Sequence, residues 1–332
     1  MNTSSPPRRI VFTEKQKVTI EEFSLPAPDP GEIRVRTEYS LMSTGTENIV
    51  FNRLFDPGTH WDQWVKYPFY PGYCAVGTVE SDGEQFKAGD KVVLRGGHRS
   101  RANVDEKSCF PLPAGIPEDL APWFALAKIG FQGARAASYK LGDRVMIIGA
   151  GPIGQMSLRW AKAAGAASIT VVDSVPDRLA LATRGGATSV ISSPIGEARE
   201  TILLCNNNRL PNIVVDSTGH PQVLNAALGL TETLGKVVLI GDTGQPGNQS
   251  LTFDVVSRGL TIVGAHDCLV TEEWNNRTIT QLFFNLVADG RFSLDGLNTH
   301  IFRPEDHERA YETANRERAK TMGILFNWKT NS

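Results

Sequence analysis

The stretch VMIIGAGPIGQMSLRWAKAAGA, residues 145–166, restricts the fold more than any other part of the 332-residue chain. An unbroken apolar run of β type ends at Gly149, and glycines recur at Gly151 and Gly154 before the hydrophobic residues take up helical spacing. In a strand–turn–helix unit Gly149 permits the tight turn, Gly151 leaves room for a phosphate, and Gly154 lets the helix lie close on the strand. The helix start at Pro152 and Ile153 then favours an anion through its dipole and through the free N–H groups from Ile153 onward, Pro152 having none. The next apolar run, SITVVD, ends in Asp173, 19 residues beyond Gly154. A carboxylate there accepts both hydroxyls of an adenosine ribose and repels a 2′-phosphate, so the pattern predicts NAD rather than NADP. Ser174 and Arg178 follow on the same rim. Arg178 is either a contact to the adenine or ribose edge or a solvated helix charge.

β-type and helical runs keep alternating from there: PDRLALATRGG, SVI, NIVVDSTG, PQVLNAALGLTET, KVVLIGDTG and LTIVGAHD. Continuous apolar strands separated by helices predict a parallel sheet covered on both faces. Ligands bind at the carboxyl ends of such strands, so Ser217, Thr218, Gly241 and Asp242 are expected to flank the nicotinamide half of the cofactor. Residues before about 110 have a different character. Short β runs (RRIVF, KVTIEEF, EIRVRTEY, AVGTVE, DKVVLRGG) separated by Gly, Pro and Asp turns suggest a small barrel-like fold. The tail reads as helix, strand, helix, strand.

Charge excludes some partners. Thirty-four Lys and Arg against 36 Asp and Glu give a net charge of −2, so neither nucleic acid nor a membrane surface is expected to bind. Four dispersed cysteines without a CxxC pair, no apolar leader and no long apolar span predict a reduced, cytoplasmic protein.

Several motifs in order, DPGEIRVRTEYSLMSTGTE, YPGYCAVGTV, KAGDKVVL, LGDRVMIIGAGPIG, VVDSTG, GKVVLIG and LTIVGAHD, resemble the medium-chain dehydrogenase/reductase family over almost the whole chain. The resemblance implies an α/β protein with a GroES-like β-rich catalytic domain (1–124 and 266–332) and an inserted Rossmann doubly wound parallel sheet (125–265). It also implies a small-molecule substrate, catalysis in the cleft and a homodimer. Well-known members hold zinc through a C-x-[ST]-[DE] loop, a G-H-E histidine and a third ligand ahead of the glycine motif. Here Thr44 takes the cysteine position in TGTE, while Tyr73 and Cys74 replace the histidine and glutamate in GYC. The segment before the glycine motif supplies no third ligand. Hydroxyls are poor zinc ligands, so no metal is expected. The STGTE loop, the long insertion and YPFYPGY resemble the zinc-lacking branch around bacteriochlorophyllide hydroxyethyl dehydrogenase.

Without zinc, oxidation of an alcohol needs a positioned base or hydrogen-bond donor. Thr46 matches the family's proton-relay hydroxyl, Glu47 beside it could act as base, and Tyr73 could donate to a developing oxyanion. The aromatic insertion FNRLFDPGTHWDQWVKYPFYPG brings His60 as a further acid–base candidate and could line a pocket, form a lid or pack at a subunit interface. His98 and His266 are weaker candidates. These features predict a zinc-independent, NAD-dependent dehydrogenase of a secondary alcohol or ketone on a sugar, cyclitol or tetrapyrrole-like metabolite. The alternatives are an NAD(P)H-dependent reductase of quinones or activated double bonds and a non-catalytic NAD-binding structural or sensor protein.

Overall fold

The computed structural model describes residues 6–329, and the chain divides into two compact units, Met1–Ala125 with Leu297–Ser332, and Leu126–Gly296. The first unit opens with the strands β1 (Arg8–Glu14), β2 (Lys17–Glu22) and β3 (Glu32–Met42), then the helices α1 (Thr44–Asn52) and α2 (His60–Trp64). The strands β4 (Ala75–Val79), β5 (Lys91–Leu94), β6 (Arg101–Asp105) and β7 (Cys109–Pro111) follow. Helix α3 (Phe124–Ala137) leads into the second unit. There β8 (Arg144–Ile148), α4 (Pro152–Ala163), β9 (Ser168–Asp173), α5 (Pro176–Gly185), β10 (Ser189–Ser192), α6 (Arg199–Cys205) and β11 (Ile213–Asp216) come first. They are followed by α7 (Pro221–Gly229), β12 (Lys236–Leu239), α8 (Asp254–Ser257), β13 (Thr261–Gly264) and α9 (Asn276–Ala288). The chain returns to the first unit as β14 (Asn298–Phe302), α10 (His307–Arg316) and β15 (Gly323–Asn327).

Unit 2 is a six-stranded parallel sheet in the order β10-β9-β8-β11-β12-β13. Its strands bury apolar residues on both faces, Val145, Ile147 and Val215 toward one helical layer and Met146, Val214 and Val237 toward the other. The order reverses between β8 and β11, which is where a doubly wound sheet opens a crevice at its carboxyl edge. The segment after β13 packs with this unit, and the unit ends at Gly296 rather than near 265. The reason is visible in side chains: Phe292 stacks edge-on against Trp160, and the buried Arg159 donates through Nε to Ser293 O at 2.5 Å. No periodicity in the sequence carries that information.

Unit 1 is a GroES-like sheet in the order β14-β15-β3-β4-β5-β7, with β6 also paired to β3. The long central β3 buries Ile33, Val35, Leu41 and Met42 and pairs with β15 on one side and β4 on the other. Two residues beyond its end the chain enters α1, so the TGTE segment, expected as a loop, forms the first turn of a helix. The aromatic insertion differs from its pocket or lid expectation. Trp61 and Val65 are buried, Tyr67 and Phe69 pack against the same core, and the Tyr67 hydroxyl donates to Val50 O at 2.6 Å. Alternating aromatic and polar residues bury here because α2 turns Trp61 inward while Trp64 stays exposed.

Candidate active site

The turn after β8 has the steric signature of a dinucleotide loop. Gly149 adopts φ 89°, a left-handed conformation, and a Cβ on it would stand 2.7 Å from Thr218 Cγ2. A Cβ on Gly154 would lie 1.9 Å from Gly149 O, so only glycine lets α4 start this close to the strand. Around Gly151, by contrast, a Cβ would meet only Arg178 Nη1 at 3.9 Å, and the space a phosphate needs is left open. Pro152 and Ile153 form the first turn of α4.

Asp173 closes the loop from β9. Its Oδ2 accepts Ala150 N–H at 2.7 Å and its Oδ1 accepts Val175 N–H at 2.8 Å, which holds the carboxylate beside the glycine turn with acceptor capacity remaining. Ser174 is exposed next to it, and Gln155 Nε2 donates to both Ala150 O and Arg178 O. Ser217 Oγ lies 2.9 Å from Ile148 O and 3.0 Å from Gly149 O, tying the ends of β11 and β8 together. Thr218 is held by Asp216, a buried residue absent from the sequence-based assignment, whose Oδ1 accepts both its N–H and its hydroxyl. Burial raises the Asp216 carboxyl above the usual range, against the pull of those hydrogen bonds. Gly241 is needed because a Cβ there would stand 2.1 Å from Gly219 N, and Asp242 follows, exposed, on the same edge.

In unit 1 three hydroxyls form a cluster. Tyr73 OH donates to Ser43 Oγ at 2.6 Å, and Thr46 Oγ1 lies 3.4 Å from the same phenol. The Arg95 guanidinium sits over the Tyr73 ring, 4.6 Å from its centroid. Loss of solvation raises the Tyr73 phenol well above its ordinary value, opposed by its bonds to Ser43 and Thr46 and by Arg95, so at neutral pH it is a hydrogen-bond donor and not a base. Ser43 was not among the residues expected. A serine before TGTE has no sequence signal beyond a helix cap, and its side chain makes no cap bond.

Glu47 stands next to this cluster in sequence, and its carboxylate is bonded into a separate buried network. It is 2% exposed. Its carboxylate accepts Ser43 N–H at 2.8 Å, the Tyr311 hydroxyl at 2.5 Å and His98 Nε2 at 3.1 Å. On the far side of the imidazole, His98 Nδ1 lies 2.8 Å from Ser40 Oγ, which accepts Trp328 Nε1–H at 2.9 Å. One direction of donation satisfies every atom: Trp328 to Ser40, Ser40 to His98, His98 to Glu47. The Tyr311 phenol is raised well above its usual value, by burial first and then by the Glu47 charge, so it too remains a donor. The network fixes the backbone of Ser43, and through it the partner of Tyr73. Tyr311 and Trp328 come from the far end of the chain, 264 residues beyond Glu47 and 288 beyond Ser40. Thr44 is half-buried at the start of α1. His60 lies exposed at the start of α2, its ring 5.3 Å from that of Trp61. His266 is exposed after β13, with Nδ1 3.0 Å from Cys268 Sγ.

The donors at the positions where relatives hold zinc do not fit that ion. Thr44 offers a neutral hydroxyl, and Tyr73 a phenol whose proton is held more tightly than usual. Glu47, the nearest carboxylate in sequence, already has three donors of its own. Among the described residues no group of three or more His, Cys, Asp or Glu side chains is arranged to hold a metal.

The Rossmann sheet and the GroES-like unit together with homologues that are named dehydrogenases make the chain an oxidoreductase acting on CH–OH donors. The family model described as zinc-binding dehydrogenase matches residues 152–283. An uncharacterised zinc-type alcohol dehydrogenase-like protein of Escherichia coli K12 is 31% identical, with 91% of this chain and 93% of that protein covered. L-threonine 3-dehydrogenase of Bacillus licheniformis is 26% identical, over 89% of this chain and 91% of its own. The crystal structure of galactitol-1-phosphate dehydrogenase from Escherichia coli superposes with a TM-score of 0.83 at 22% identity, covering 96% of this chain and 99% of that one. The chain belongs to the zinc-type alcohol dehydrogenase-like family of medium-chain dehydrogenases/reductases. Among the described residues no helix is long and apolar enough to cross a membrane.

Proposed function

We propose that the protein interconverts a secondary alcohol and a ketone on a polar or cyclic metabolite, with NAD(H) as hydride carrier and without zinc. The observation that carries this reading is the Thr46–Tyr73–Ser43 hydroxyl cluster, in which Thr46 and Tyr73 match, by the motif resemblance, the family's proton-relay and metal-ligand positions. Asp173 supports NAD over NADP, because its carboxylate is fixed beside the glycine turn where a 2′-phosphate would add a second negative charge. A relative named for a hydroxylated metabolite, L-threonine 3-dehydrogenase, favours a polar substrate.

The glycine turn of Gly149, Gly151 and Gly154, with Asp173, would hold a nicotinamide cofactor, which would supply the hydride chemistry. In ketone reduction Tyr73 or Thr46 donates a hydrogen bond to the carbonyl oxygen, and its proton neutralises the alkoxide as charge develops. In oxidation the alcohol proton passes to Thr46 or Tyr73 as that hydroxyl gives up its own, and the one net proton leaves to solvent past the half-buried Thr46. Each hydroxyl passes one proton on while receiving another, so none carries a full charge. Thr44 and Glu47 hold the turn that presents these groups.

A screen of secondary alcohols and ketones, followed by nicotinamide absorbance, tests the reaction. Tryptophan quenching should show NADH binding about tenfold or more tighter than NADPH; equal binding would remove the argument from Asp173. Turnover should survive chelation in protein free of stoichiometric zinc, and loss of activity on chelation would refute the metal-free reading.

A further inference from the structure

From Leu126 onward helix α3 belongs to unit 2, where it runs antiparallel to β12. At its C-terminal end Ala136 O and Ala137 O accept Nζ of Lys236, the first residue of β12, at 3.1 and 2.8 Å. Nearer its start, a Cβ on Gly133 would stand 2.8 Å from Ile240 Cδ1, just past the last residue of that strand. Lys128 lies closer still to the helix start, about 7–8 Å beyond Gly133 by the rise of an α-helix. It therefore stands past the carboxyl edge of the sheet, on the side of β12 and β13.

A lysine at such an edge would ordinarily be solvated, but Lys128 is buried. Its Nζ donates to Asp267 O at 2.9 Å and pairs with Asp267 Oδ1 at 3.0 Å, in the segment directly after β13. Among the described residues the ammonium has no acceptor outside Asp267, which leaves donor capacity on its three N–H groups. One turn along the same face of α3, Gln132 is also buried, and its Nε2 has no hydrogen-bond partner. Buried donors without an acceptor are costly, and in a binding crevice the acceptor arrives with the ligand. Asp267 balances the Lys128 charge, so the pair offers fixed donors with no net charge. Such a site suits an oxygen that gains negative charge during reaction, not one that is anionic beforehand.

The order of the strands decides which oxygen arrives there. Asp173 ends β9 and the glycine turn follows β8, so a dinucleotide held by them runs from adenosine at β9 toward β12 and β13. Its nicotinamide end then lies at the edge over which Lys128 stands, and a reacting carbon must come within about 3–3.5 Å of that ring. We propose that the Lys128 ammonium, with Gln132 Nε2 as a second donor, binds the reacting oxygen of the substrate and stabilises the alkoxide. The inference rests on the proposed alcohol–ketone chemistry and adds a catalytic residue to it. Lys128 keeps its protons throughout, so the hydride and proton balance of the reaction is unchanged and the ammonium contributes charge alone.

The test uses the secondary alcohol that the native protein turns over fastest, together with its analogue fluorinated beside the carbinol carbon, whose oxygen bears negative charge more readily. In Lys128→Met kcat should fall about a hundredfold or more, with NADH quenching of tryptophan fluorescence unchanged. Lys128→Arg keeps the charge and should recover part of the loss, and Gln132→Leu should lose less than Lys128→Met. The loss in Lys128→Met should be severalfold smaller for the fluorinated alcohol, an effect that a purely structural lysine would not produce. Because Lys128→Met leaves the Asp267 carboxylate uncompensated, Lys128→Met/Asp267→Asn is measured beside it and should show the same loss with both charges removed. A folded variant of either kind with kcat within about threefold of native overturns the proposal. So does an equal loss for both alcohols, or a loss matched by weaker NADH binding. If the native protein turns over no secondary alcohol or ketone, the alcohol–ketone reading itself fails and the inference falls with it.

Discussion

Glu47→Gln separates a catalytic carboxylate from one that positions its neighbours. The carboxylate accepts Ser43 N–H, Tyr311 O–H and His98 Nε2–H at 2.8, 2.5 and 3.1 Å. With the amide oxygen in place of Oε1, the Ser43 bond survives and the new NH2 group faces Tyr311 and His98. The Tyr311 hydroxyl can rotate to accept. His98 can shift its proton to Nδ1, but Ser40 already accepts Trp328 and would then lose the target for its own proton. Three charge-assisted bonds thus become neutral ones, a loss of about 1.5–6 kcal/mol when each drops from roughly 1.5–3 to about 1. At about 2–4 °C per kcal/mol for a domain of this size class, the melting temperature should fall by about 3–24 °C. NADH binding should persist, because the glycine turn is built by other residues. Since the carboxylate is enclosed and its acceptors are occupied, turnover should drop by no more than about tenfold, against roughly 10²–10⁴ for loss of a general base. Scanning calorimetry and steady-state kinetics on one preparation decide it. A loss of a hundredfold or more with unchanged melting would refute the positioning role and make Glu47 the base.

Other outcomes follow from single contacts. Gly154→Ala should abolish NADH quenching of tryptophan fluorescence and lower the stability of unit 2, since its Cβ would fall 1.9 Å from Gly149 O; retained NADH affinity would contradict the geometry. Tyr73→Phe should reduce kcat about a hundredfold. Because the Tyr73 phenol is raised, it stays protonated where an ordinary tyrosine ionises, and ketone reduction in the native protein should show no loss from phenol ionisation up to about pH 10. Burial, aided by Asp105 and Glu106, pushes the Cys109 thiol up to about 12. The unfolded thiol releases its proton near 9 while the folded one keeps it. Stability from this group is therefore complete below about pH 9 and is lost as pH rises toward 12, by about 1.4 kcal/mol per pH unit. Melting curves between pH 8 and 10.5 should fall more steeply in the native protein than in Cys109→Ala, which keeps only the part due to the raised tyrosines such as Tyr73 and Tyr311.

The glycine turn was legible because its causes are local. Gly149 needs a positive φ, Gly154 needs to lack a Cβ, and Asp173 ends the adjacent strand; each requirement is met within 25 residues of chain, and the spacing alone displays it. The alternation of strands and helices likewise foretold the parallel sheet. The hydroxyl chemistry of Thr46 and Tyr73 could be read as a pattern, but not its wiring. Tyr73 finds Ser43 because β4 and β3 are hydrogen-bonded neighbours, and a sequence does not state register. Glu47 looked like a free carboxylate beside a relay hydroxyl. Tertiary structure decided otherwise, because β15 and α10 bring Trp328 and Tyr311 from the end of the chain, and the turn after β5 brings His98, into one buried network. A carboxylate buried in that setting must be matched by donors, and only the fold determines which donors arrive.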